Sequence, residues 1–156
     1  MTRFSVTPGR FVLLLLLLLA GFAGVYFLWP LHMPPLPEEV VRIEISSIRL
    51  QPYEIEEEAY TLSPDSQQWA QLEELLFQVT VHRCFQTLSG STSTGGTGGR
   101  VLNFYGRDGE NNLLWEITVT AGRHLRMGDR MYHLGWWDDL AGQELAETLA
   151  QRLEEA

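Results

Sequence analysis

His82 and Cys84 stand two apart in "TVHRCFQTL" (Thr80–Leu88), a stretch whose pattern predicts a strand, so their side chains share one face. Together with His124 or His133 they would offer imidazole and thiolate donors of the kind zinc takes. Zinc sites, however, carry tighter ligand pairs and more cysteines. Cys84 is the one cysteine in the chain, so it reads as a small core hydrophobe with His82 as its half-exposed neighbour. As a nucleophile Cys84 would need a base such as His133 and a feature that lowers its pKa, and no local signature surrounds it. Glu54, Glu56, Glu57 and Glu58 form an acidic run, but calcium needs an Asp-rich loop that is absent, and "RDGEN" fits a hairpin turn. The run reads as a solvated strand edge that discourages sheet-to-sheet pairing. No GxSxG, P-loop, HExxH or helix-opening GxGxxG occurs. The sequence therefore assigns no catalytic residue, no metal ligand and no cofactor, and an enzyme is not the expected reading.

Binding residues are easier to nominate. Trp136 and Trp137 are adjacent, so if one enters the core the other points elsewhere and offers an aromatic anchor. "SGSTSTGGTGG" (Ser89–Gly99) has nothing to bury and reads as a mobile loop. Long loops on small domains are uncommon unless functional or disordered. Ser91, Thr92, Thr94 and Thr97 with Trp136 and Trp137 make up the candidate binding surface.

These residues need a scaffold, and the hydrophobic periodicity supplies one. "VVRIEISSI" places Val41, Ile43 and Ile45 on one face and Arg42 and Glu44 on the other, a half-buried strand. "QPYEIEEEAYTL" predicts a second strand. In "SPDSQQWAQLEELLFQV" Ser63 can cap a helix, Pro64 fits its first turn, and Trp69, Leu72, Leu75, Leu76 and Val79 line one face. "RVLNFYGRDGENNLLWEITVTAG" reads as a hairpin with Leu102, Phe104, Trp115, Ile117 and Val119 inward. "RHLRM" and "MYHL" add short strands. "WWDDLAGQELAETLAQRLEEA" closes the chain as a helix with Leu140, Leu145, Leu149 and Leu153 in a stripe. Grouped strands with short turns imply α+β: an antiparallel sheet of five to seven strands with two helices on one face.

An apolar segment precedes this domain. Phe11 to Trp29 contains no charge, and a helix of that length spans roughly 28 Å, about one hydrocarbon core. Tyr26 and Trp29 lie at its far end, where amphipathic rings favour the interface, and Pro30 stops the helix. Arg3 and Arg10 precede it, which predicts a cytoplasmic N-terminus at residues 1–10, a transmembrane helix over 11–29, a Pro-rich stalk over 30–39 and an extracytoplasmic domain from residue 40 to 156. The lipid bilayer is thus the expected partner of residues 11–29. The alternative is a signal peptide cut near Ala23, which would leave a secreted domain. "LLAGF" is close to a lipoprotein signal, but Phe22 stands where the lipid-bearing cysteine would be.

All 20 acids follow residue 37, with nine of the 11 arginines and no lysine, so the outer part carries a net −11. That balance repels nucleic acid and anionic headgroups. It argues against a nucleic-acid partner and otherwise favours solubility, cationic partners, or nothing in particular.

"YTLSPDSQQWAQLEELL", "LNFYGRDGENNLLWEITV" and "MYHLGWWDDLAGQELAETL", spread over residues 40–153, resemble small extracytoplasmic proteins of Gram-positive-type bacteria. These carry a lipoprotein signal or one membrane span followed by a compact α+β domain. The resemblance implies an envelope location and no defined activity, and it transfers no site residue. The expectation is a single-pass envelope protein whose outer domain binds another protein or envelope ligand. The alternative is an anchored or secreted inhibitor or sensor of an envelope hydrolase.

Overall fold

The computed structural model describes residues 8–51, 54–90, 99–135 and 140–154. In chain order the elements are α1 (Pro8–Leu28), β1 (Leu31–His32), β2 (Arg42–Leu50), β3 (Ile55–Leu62), α2 (Gln67–Gln78) and β4 (Thr80–Arg83). They continue with α3 (Phe85–Ser89), β5 (Gly99–Arg107), β6 (Leu113–Val119), β7 (His124–Met127), β8 (Arg130–Leu134) and α4 (Ala141–Glu154). The α+β class, the antiparallel sheet and the N-terminal apolar helix match the expectation. The counts do not: among the described residues the sheet has eight strands rather than five to seven, and there are four helices, α1 and three more where two were expected beside it.

The strands lie in the order β1-β4-β8-β7-β6-β5-β2-β3, every neighbouring pair antiparallel. The β2–β3 hairpin forms one edge. α2 then carries the chain across to β4 near the other edge, and the meander β5 to β8 runs back until β8 pairs with β4.

Two of the unexpected elements have local causes. β1 comes from the proline-rich stretch: Leu31 pairs with Val81 and His32 with Thr80, and Met33 just beyond them is buried in the core. A two-residue strand is too short to show any periodicity. The predicted strand through Cys84 stops at Arg83 instead. Thr87 Oγ1 accepts from the Cys84 backbone N–H at 2.9 Å, a side-chain cap that turns the chain into α3. α2 is capped by Ser66, not Ser63: Ser66 Oγ accepts from the Trp69 N–H at 3.2 Å, and residues 63–66 form a turn before it.

Register fixes which side chains enter the core. Ile45 lies opposite Phe104, which lies opposite Ile117, and Ser47, Leu102, Val119 and Leu125 form the adjacent row. Onto this face α2 places Trp69, Leu72 and Leu76, and α4 places Ala146, Leu149 and Leu153. Leu140, expected in the α4 stripe, and Val41, expected inward with Ile43, each precede their element and are exposed. α4 approaches very closely where Gly142 meets the β6–β7 connection. A Cβ at Gly142 would collide with the carbonyl oxygens of Gly122 and Thr120. Glycine is needed there for space, not for a special φ.

α1 has no buried residue, and among the described residues it is the one helix long and apolar enough to cross a membrane. Its last turn touches the sheet edge. Arg83 stacks over the Tyr26 ring at 4.7 Å and donates Nη1–H to the Tyr26 carbonyl at 3.4 Å, while His82 hydrogen-bonds the Leu28 backbone. A cation and an imidazole thus meet C-terminal carbonyls that a helix cannot satisfy internally.

Candidate functional site on the uncovered sheet face

Antiparallel sheets can leave one face to solvent. Here α2 and α4 occupy the same face, and the opposite face is met at its β4–β8 corner by α3 and, through His82, by the last turn of α1. Alternation sends Arg42, Glu44 and Ser46 of β2, Asn103, Tyr105 and Arg107 of β5, and Glu116 and Thr118 of β6 to this uncovered face. β7 adds His124 and Arg126, and β8 adds Met131 and His133.

The face is organised by cross-strand pairs. Arg107 Nε donates to Glu44 at 2.7 Å, and Arg42 Nη2 reaches the same carboxylate at 3.0 Å. The Arg107 bond, helped by the charge of Arg42, holds Glu44 below the usual carboxylate range. Arg126 pairs with Glu116 and also donates to Thr118 Oγ1 at 3.3 Å, and Thr118 donates to Asn103 at 2.9 Å. Tyr105 stands between Glu44 and Glu116, directly opposite each, and is half-buried. The result is a rigid polar lattice with one aromatic ring among charges. Such a lattice can orient a partner by charge complementarity and anchor it on the ring.

The three histidines of β4, β8 and β7 form a row. His82 faces His133, and His133 faces His124. The Nε2 atoms of His124 and His133 are 3.1 Å apart, their rings 4.8 Å apart and inclined at 63°. Burial pushes His124 down from the ordinary histidine value, and the charge of Arg123 adds to the shift. Burial lowers His82 as well, partly offset by its bond to the Leu28 backbone. The His124 and His133 Nε2 atoms lie within hydrogen-bond distance, and the ring tautomers decide which of them donates. A zinc site takes at least three protein ligands, and among the described residues no group of three or more His, Cys, Asp or Glu gathers closely enough to hold a metal ion.

Cys84 is buried beneath α3. Its Sγ lies 3.4 Å from Thr87 Oγ1 and 3.5 Å from the Met131 carbonyl, and Thr87 donates to the same carbonyl. The thiol is thus packed between α3 and β8. Of the acidic run, Glu54 precedes the edge strand β3 and Glu56, Glu57 and Glu58 lie on it, all of them exposed. Ser91, Thr92, Thr94, Thr97, Trp136 and Trp137 lie outside the described residues.

A second charged cluster was not anticipated from the sequence. Arg100 shares the core face with Leu102 and Phe104 and is 4% exposed. Its Nη1 donates to Glu154 at 3.1 Å, and its Nε lies 3.5 Å from Glu147 without forming a hydrogen bond. Arg49, directly opposite, reaches the same Glu147 oxygen at 3.4 Å. Two like charges in register repel, and the α4 carboxylate between them offsets that. The groove they line, about 250 Å³, is the seam where α4 is clasped to the sheet. An arginine in the inward phase of a strand was the signal available in "GRVLNFYGR".

Compared with protein-family models, curated proteins and solved structures, the chain matches none.

Proposed function

We propose that this chain is a single-pass envelope protein. α1 holds it in the bilayer with residues 1–10 in the cytoplasm, and the outer α+β domain binds another protein through its uncovered sheet face. The observation that carries this reading is the one-sided sheet itself. Eight strands are packed by α2 and α4 on one side, and the other presents Tyr105 within a lattice of fixed ion pairs. The apolar, unburied α1 and the two preceding arginines support the anchor and its orientation. The net negative charge of the domain steers cationic partners at long range, while the face itself carries Arg42, Arg107 and Arg126 beside Glu44 and Glu116 and so offers both signs.

The test is site-specific photocrosslinking in intact cells. A benzophenone side chain replacing Tyr105 is expected to trap a discrete partner band, and one replacing Glu74 on the exposed side of α2 is not. Trapping from Glu74 with none from Tyr105 would move the binding surface to the helical layer and sink this assignment.

A further inference from the structure

We propose that α3 is a foot that seats the outer domain on the lipid–water interface beside α1, with Phe85 and Leu88 dipping into the headgroup layer of the outer leaflet. The proposal rests on the reading of α1 as a membrane span and adds the bilayer surface as a second contact of the folded domain.

Three observations carry it. First, α3 is two-sided. Its inner side is fixed to β8 through Thr87 and the Met131 carbonyl, with Cys84 buried alongside. Its outer side exposes Phe85 (77%) and Leu88 (57%), three residues apart and hence neighbours on the helix surface. A five-residue helix that holds two large apolar side chains in water leaves their burial unrealised. Second, α3 starts two residues after Arg83, and Arg83 grips the last turn of α1 through both the ring and the carbonyl of Tyr26. Two residues span at most about 7 Å, and one headgroup layer is roughly 5–7 Å thick. Tyr26 and the 62%-exposed Trp29 are the rings expected to mark that layer, and the backbone of α3 starts within about 7 Å of that of Arg83, whose side chain reaches Tyr26 itself. Third, His82 bonds the Leu28 backbone next to the Arg83 contact, so two adjacent residues of β4 fix the strand to α1. Membrane proximity comes with this attachment, and it selects lipid over a protein as the occupant of the apolar side. Interfacial helices bind in this way, with an apolar face laid into the headgroup–acyl boundary.

The test uses the full chain reconstituted in phosphatidylcholine vesicles. In a Cys84→Ser background, nitroxides are placed one at a time at Leu88→Cys, at Leu18→Cys within α1, and at Thr148→Cys on α4. Power saturation compares access of oxygen with access of a water-soluble nickel chelate. Leu88 is expected to lose nickel access relative to Thr148 and to gain oxygen access, while lying shallower than Leu18. Equal nickel access at Leu88 and Thr148, with Leu18 deep, overturns the foot and leaves the anchor standing. A water-exposed Leu18 overturns both. Phe85→Trp with the native thiol checks the result without disturbing Cys84. Lipids brominated near the headgroup are expected to quench the added indole beyond the background of the five native tryptophans. No added quenching would count against the foot.

Discussion

His124 and His82 are both held below the ordinary histidine value, each mainly by burial. The sign of the consequence follows from linkage. The unfolded chain takes up protons near pH 6.5, whereas the folded chain resists until a lower pH. Stability is therefore fully present above about 6.5 and is lost as the pH falls toward the folded values. Glu44 and Asp108 are also shifted down, but their ordinary values of 4.5 and 3.8 place their contribution at lower pH. The melting temperature of the full chain in detergent should drop between pH 7.5 and 5.5, and a His124→Gln variant should drop less. Identical pH dependence in the two would remove His124 as a cause. Arg100 makes a second, asymmetric case. Its carboxylate partners are half-exposed and remain solvated without it, so Arg100→Met should change stability by within about 1 kcal/mol. The double variant Glu147→Ala and Glu154→Ala strands a buried guanidinium and should cost about 3 kcal/mol. Denaturant midpoints at constant slope measure both. The chemistry-bearing residue types were readable from the sequence, but their company was not. Nothing in the spacing of His124 and His133 states that a β7–β8 hairpin register brings their Nε2 atoms together.

Periodicity made the long elements legible. β2 and β5 show clean alternation, and α2 and α4 show a helical stripe, because each has one buried face. Short elements escaped because a two-residue β1 and a five-residue α3 hold too few positions to define a period. The strand expected through Cys84 was overridden by one side-chain cap from Thr87. Gly142 was equally silent in sequence, since a glycine near a helix start signals nothing about what lies above it. Gly142→Ala should strain α4 against the Gly122 and Thr120 carbonyls and cost about 1–3 kcal/mol, lowering the melting temperature by roughly 4–12 °C. Gly109→Ala, where a Cβ meets nothing, is the control and should melt with the parent. Equal melting of both variants would mean that α4 shifts freely on the sheet.

At the scale of the molecule, composition and charge order legibly separate an apolar N-terminal helix from an acidic α+β domain. The strand order is not legible, because it depends on α2 carrying the chain to the far edge and on the meander returning to β4. That topology leaves most of one sheet face uncovered, and β4, next to the edge strand β1, brings Arg83 and His82 to the end of α1. The functional reading depends on α1 remaining attached. The intact mass of the mature protein, measured separately in membrane and soluble fractions, tests this most directly. The account predicts a species at the full 17.8 kDa in the membrane fraction. A shorter species beginning at Gly24, found in the soluble fraction, would contradict it: α1 would then be a signal peptide and the domain would act free of the bilayer.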